Sequence, residues 1–145
     1  MPIRYNISPE LNMEMYVCRG SITAAEIFKT IDMVLSDQPR KPGFITIIDL
    51  IAAVENIHLK DIYETIERIE KMVEKGFVPG PILMLSQSRG IHILADTIQM
   101  LPSKVPFKMT AFYTMEDAIN SLGLSESRQD IIQFWQDSNS LYENS

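Results

Sequence analysis

Residues 44–61 read Phe-Ile-Thr-Ile-Ile-Asp-Leu-Ile-Ala-Ala-Val-Glu-Asn-Ile-His-Leu-Lys-Asp. The run from Phe44 to Leu50 follows a Pro42-Gly43 turn signal and is almost continuously apolar. A short apolar run bounded in this way suits a central strand buried on both faces. Asp49 is the charged exception within it. A carboxylate among apolar neighbours is costly unless it is paired, hydrogen-bonded or at a surface. Asp49 therefore stands at the end of the strand, where it anchors a following loop that runs from Leu50 to Lys60.

Short strand and helix patterns alternate on either side of this strand. Ile3–Ile7 and Met13–Arg19 are strands joined by a Ser8-Pro9-Glu10 turn, so they pair antiparallel. In the second of them Met13, Met15 and Val17 share one face, and Gly20 ends it. Thr23-x-x-Glu26 is a capping-box signature for a helix that carries Ile27, Phe28, Ile31, Val34 and Leu35 inward and stops at the Pro39–Gly43 segment. The clearest helix spans Leu59–Lys75, with Ile62, Ile66, Ile69 and Val73 inward and the pairs Glu64/Arg68 and Glu67/Lys71 outward. A strand at Ile82–Leu85, a helix at Ser88–Leu101 and a last strand at Phe107–Tyr113 follow. Thr114-x-x-Asp117 opens a short helix through Leu122, and a final helix covers roughly residues 127–137. The order β-β-α-β-α-β-α-β-α-α predicts an α/β fold with a single mixed sheet of about five strands. An antiparallel N-terminal hairpin precedes the parallel strands, helices cover the sheet, and an additional helix closes the chain. The expected organisation is one α/β domain at residues 1–124 and a C-terminal helical extension at 125–145.

Composition narrows the functions. The 145 residues carry a net charge of -6, which repels nucleic-acid backbones and anionic lipid surfaces, so no nucleic-acid partner is expected. No apolar run is long enough to span a membrane, and the N-terminus lacks the apolar stretch of a signal peptide. Cys18 is the sole cysteine and lies in a strand pattern, which suits a buried thiol in a reducing compartment. The expected location is cytoplasmic.

Catalytic signatures are missing from the sequence. The six glycines are isolated, with no dinucleotide fingerprint, phosphate loop or nucleophile elbow. His58 and His92 have no cysteine or second histidine at ligand spacing, so no metal and no cofactor is expected. One enzymatic reading uses Asp49 or Glu55 with His58 as an acid/base pair, but no nucleophile accompanies them. The expectation is a protein that is not an enzyme. Binding residues are sought where polar groups follow strands, because open α/β sheets bind ligands outside the carboxyl ends of their strands. Asp49, Asn56 and His58 form one such set, and Ser86, Ser88 and Arg89 the other. Each serine is equally a helix cap, while Arg89 with the free N–H groups of the helix start suits an anion. Ile131, Ile132 and Trp135 are either satellites of the core or a partner or dimer surface. The nine methionines are core filler or, where several meet, an adaptable apolar pocket.

The segments Met13–Gly20 with Ile22–Glu26, Pro42-Gly43-Phe44 entering Ile47–Leu50, and Phe112–Ile119 together resemble the STAS-type fold of anti-sigma-factor antagonists. The resemblance covers roughly residues 2–124 and is greatest to a divergent bacterial group of small proteins likened to the CRAL-TRIO lipid-carrier domain. In antagonists of this fold, an Asp-Leu strand end precedes a segment with a phosphorylatable serine. Ile48-Asp49-Leu50 matches the strand end, yet no serine or threonine occurs from Leu50 to Lys60. Without a hydroxyl acceptor that switch cannot operate. The resemblance thus implies a non-enzymatic regulatory or protein-interaction module, whose partner is another protein or a second copy in a homodimer. The alternative it implies is a carrier or sensor of a small apolar ligand, a lipid or fatty acid, held between sheet and helices with the C-terminal helix as a mobile cover.

Overall fold

The computed structural model describes residues 2–37 and 40–141, with no description of the Asp37 and Leu59 side chains. Pro39 and the last four residues of the expected extension lie outside them. Strands β1 (Ile3–Ser8), β2 (Met13–Thr23), β3 (Phe44–Asn56), β4 (Pro79–Leu85) and β5 (Met109–Phe112) form one sheet in the order β1-β2-β3-β4-β5. β1 is antiparallel to β2, and every other neighbouring pair is parallel. Helices α1 (Ala24–Asp37), α2 (Leu59–Glu74) and α3 (Arg89–Met100) link the parallel strands, and α4 (Met115–Ser121) and α5 (Arg128–Ser140) follow them. The mixed sheet with helices on it is the architecture that the sequence pattern implies.

Each crossover steps one strand along in the same direction. Right-handed crossovers of that kind place all their helices on one face. Tyr16, Cys18, Ile22, Ile48 and Leu50 accordingly pack in one cluster with the inner stripes of α1, α2 and α3. The opposite face carries Met13, Met15, Val17, Ile47, Leu83 and Leu85, which pack with α4 and α5. The methionines of β2 thus alternate with Tyr16 and Cys18 across the pleat. The two predicted threonine caps form. Thr23 Oγ1 accepts from the Glu26 N–H at 3.2 Å and donates to its carboxylate at 3.1 Å, and Thr114 Oγ1 accepts from the Asp117 N–H at 3.1 Å.

β2 and β3 run furthest past their sequence limits, and β4 starts at Pro79, three residues before the expected Ile82. β2 continues through Gly20 to Thr23, where the pattern predicts an end. Gly20 has φ +74°, a left-handed conformation that costs glycine little, so it bends the strand without breaking it. β3 likewise continues to Asn56, so most of the expected Leu50–Lys60 loop is strand. The cause is pairing. After a register shift opposite Cys18, Arg19–Thr23 pairs in parallel with Ala52–Asn56. Two residues of β3, Leu50 and Ile51, face the single residue Cys18, the one-residue excess of a β-bulge. Where β3 enters the sheet, Gly80 of β4 crosses so close that a Cβ there would overlap the Gly43 carbonyl.

Cys18 is fully buried. Burial pushes its thiol up to about 12 from an ordinary 9.0, and the carboxylates of Asp49 and Glu26 add to the effect. Below the ordinary value the thiol is neutral in both states and its contribution to stability is complete. Between there and the folded value the unfolded chain ionises first, so stability falls with rising pH by up to about 1.4 kcal/mol per unit. Burial and the Glu14 carboxylate raise the Tyr16 phenol further still, which acts in the same sense at higher pH. Denaturant titrations from roughly pH 8 to 11 should therefore show a shallower decline for Cys18→Ala than for the native chain. Parallel declines would show that the thiol takes no part.

Candidate functional site

The strand order does not reverse from β2 to β5, and α1, α2 and α3 all leave on one side, so no switch-point crevice opens between β2, β3 and β4. The carboxyl ends of β3 and β4 are consequently not a cleft. Asp49 lies level with Leu85 in the register, one residue before Ser86. Asn56 ends the β3 extension, about 20 Å further along an extended strand. His58 precedes α2, where its N–H donates to the Asp61 carboxylate at 2.7 Å and its carbonyl accepts from the Asp61 N–H at 2.9 Å. Asp49 and His58 are thus at opposite ends of the ribbon, too far apart for an acid/base pair.

The second expected set is organised by backbone turns. Ser86 is buried, and its Oγ accepts from the Ser88 N–H at 3.0 Å. Ser88 occupies the N-cap position of α3 without a capping bond from its side chain. Arg89 is exposed on the first turn of that helix. His92, one turn along, stacks on Tyr113 with ring centroids 3.8 Å apart, and its Nε2 lies 2.9 Å from the Ser86 carbonyl. The rings and the serine close the carboxyl ends of β4 and β5.

Asp49 has a different environment. It is 3% exposed, on the sheet face covered by α5. Oδ1 accepts from the Ile51 N–H at 3.0 Å, in an Asx-type turn that shapes the bulge. Oδ2 accepts from Trp135 Nε1 at 2.7 Å and from Asn139 Nδ2 at 3.4 Å. Trp135 and Asn139 are four residues apart, hence on one face of α5. Arg19 adds a bond to the Asn139 carbonyl at 3.3 Å, at the negative end of the helix dipole. Ile131 is 1% exposed and Phe134 7%, both in the core beneath the helix, with Ile132 and Trp135 partly buried around them. Within the chain itself, then, Ile131 is covered, and Trp135 spends its one donor on Asp49.

The other face holds a cavity that the spacing of single elements does not reveal. It measures about 90 Å³ and lies between the sheet, α1, α2 and α3. Ile27 and Ile31 of α1, Ile69 and Met72 of α2, Met84 of β4 and Met109 of β5 are among its walls. Its outer rim is crossed by Arg68 of α2. The guanidinium lies over the Phe28 ring of α1, 5.3 Å from the centroid, and pairs with Asp32 of α1 and Glu64 of its own helix. The i,i+4 pattern shows the Glu64 partner in the sequence, whereas the bonds to α1 depend on how the helices pack. Among the described residues, no group of His, Cys, Asp and Glu could hold a metal ion, and no helix is long and apolar enough to cross a membrane.

No protein-family profile and no curated relative matches the chain. Among solved structures, it is similar to an uncharacterised protein of the DUF3478 family from Shewanella loihica PV-4, described as having a SpoIIAA-like fold. The TM-score is 0.51 at 13% identity, over 83% of this chain and 91% of that one. The likeness establishes a SpoIIAA-like, that is STAS-like, fold.

Proposed function

We propose that this chain is a non-enzymatic protein-interaction module of STAS-like type, acting without a phosphoserine switch. The observation that carries the reading is the β2–β3 ribbon. β4 pairs with β3 only as far as Asp49, so from Ala52 to Asn56 that side of β3 has no strand beside it. Val54 is 71% exposed there and Ile51 39%. An open edge flanked by apolar side chains is suited to accepting an added strand from a partner. The segment first read as a binding loop is thus a strand edge, with backbone groups as its recognition elements. A photo-crosslinker at position 54 should give a discrete adduct in cells, either to one partner or to a second copy. The same crosslinker at Tyr63, exposed on the outer face of α2, should not. Equal labelling from both positions, with a monomer in sedimentation, would sink the reading.

A second reading, carriage or sensing of a small apolar ligand, is favoured by the cavity beneath α1–α3. Its place is the face opposite α5, so α5 is not the cover such a ligand would need. Native mass spectrometry of the freshly purified chain should then retain a bound apolar molecule. A clean mass of the bare chain would count against lipid carriage.

A further inference from the structure

Resting on the carrier reading, we propose that the cavity beneath α1–α3 takes a small uncharged apolar molecule, about one ring in size, through a mouth latched by Arg68. Size comes first. Apolar cavities of about 150 Å³ stay dry and admit benzene or xenon, and this one is about 90 Å³. Met72, Met84 and Met109 stand in its walls. Their unbranched thioether chains change rotamer readily, so the space can adapt to a ring. It cannot take a full acyl chain without moving helices.

Charge decides the class. The polar groups in the wall are already engaged. Thr46 donates to Glu14 at 3.2 Å, Thr65 donates to the Asp61 carbonyl at 2.7 Å, and the Asp61 carboxylate accepts the His58 N–H. Neither hydroxyl has a proton left to donate to a carboxylate head group. At the mouth the one guanidinium already faces two carboxylates, Asp32 and Glu64. A fatty-acid carboxylate entering there would find Arg68 taken and two carboxylates beside it. An uncharged ligand meets neither obstacle.

The latch controls rate more than affinity. Arg68, Asp32 and Glu64 are each more than a third exposed. Exposed pairs shift an equilibrium by about five-fold or less, and an exposed cation–π contact does no more. Such a latch opens often. Arg68→Ala should raise ligand association and dissociation rates together, by about three- to ten-fold, and change Kd by less than about three-fold.

The test follows methyl resonances of Met72, Met84 and Met109 in the intact chain during titration with xenon, benzene and sodium octanoate. Saturable shifts with xenon and benzene, and none with octanoate, are expected. Leu94→Phe, which fills the cavity from α3, should weaken benzene binding at least ten-fold. Should that variant not fold, the exchange rates of Arg68→Ala decide the matter, and unchanged rates would overturn the latch. Octanoate shifting the same methyls as strongly as benzene would overturn the uncharged class while leaving the carrier reading standing. No methyl shift with any probe would overturn both. Benzene and xenon binding in a chain that purifies free of lipid would retire lipid carriage and support the socket.

Discussion

Glu14→Ala is expected to destabilise the protein by about 3–5 kcal/mol, the range measured when one partner of a buried ion pair is removed. Glu14 is 1% exposed, on the face of β2 that carries Tyr16 and Cys18. Its Oε2 accepts from Arg40 Nε at 2.6 Å, and its Oε1 from the hydroxyls of Tyr16 and Thr46, both at 3.2 Å. The Arg40 side chain is itself only 4% exposed. Truncation would leave a buried guanidinium without its carboxylate and two buried hydroxyls without their acceptor. Each loss carries a desolvation penalty of about 1–3 kcal/mol, more for a charged group. The same reasoning predicts its own remedy. Replacing both charges with apolar side chains of similar volume, as in Glu14→Leu with Arg40→Met, should restore most of the loss. Urea unfolding of the single and double variants is the measurement. A single-variant loss below about 1 kcal/mol would mean that water reaches the pair.

That network also shows where sequence reading stops. Glu14 sits in a strand whose alternation is plain, so its burial on the Tyr16 and Cys18 side is legible once the sheet is known. Its partner is not, because Arg40 reaches it from the link between α1 and β3 across 26 residues. The order of elements, the caps at Thr23 and Thr114 and the inner stripes of the helices depend on local spacing, and all stand in the sequence. The length of β3 does not. Ile51 to Asn56 lacks the dense apolar run of a central strand because only β2 pairs with it, and a two-stranded ribbon tolerates the polar and small residues of a loop. The cavity is further from reach. Its walls come from three helices and three strands, each contributing residues that any core helix or strand would bury. The methionine count hinted at an adaptable pocket, and packing supplies the place.

Asp49→Ala is expected to cost about 3–4 kcal/mol and to loosen the ribbon as well as α5. Oδ1 fixes the Ile51 N–H at the bulge, and Oδ2 holds Trp135 and Asn139 at the end of the terminal helix. One carboxylate therefore ties the open strand edge to α5, two elements 86 residues apart along the chain. Hydrogen bonds to a charged group contribute about 1.5–3 kcal/mol each, and the carboxylate that accepts these is itself buried. Trp135→Phe removes one donor and keeps most of the apolar ring, so it should cost about 1–2 kcal/mol. The double variant should show a coupling of about 1–2 kcal/mol between the two positions. Hydrogen exchange separates the consequences. In Asp49→Ala, amides of residues 51–56 should lose protection along with those of α5, whereas in Trp135→Phe the loss should centre on α5. If Asp49→Ala freed α5 alone and left the ribbon as protected as before, the carboxylate would be a helix anchor with no part in shaping the edge. If the ribbon loosened too, adduct formation at position 54 should fall with it, because an added strand needs the edge preformed.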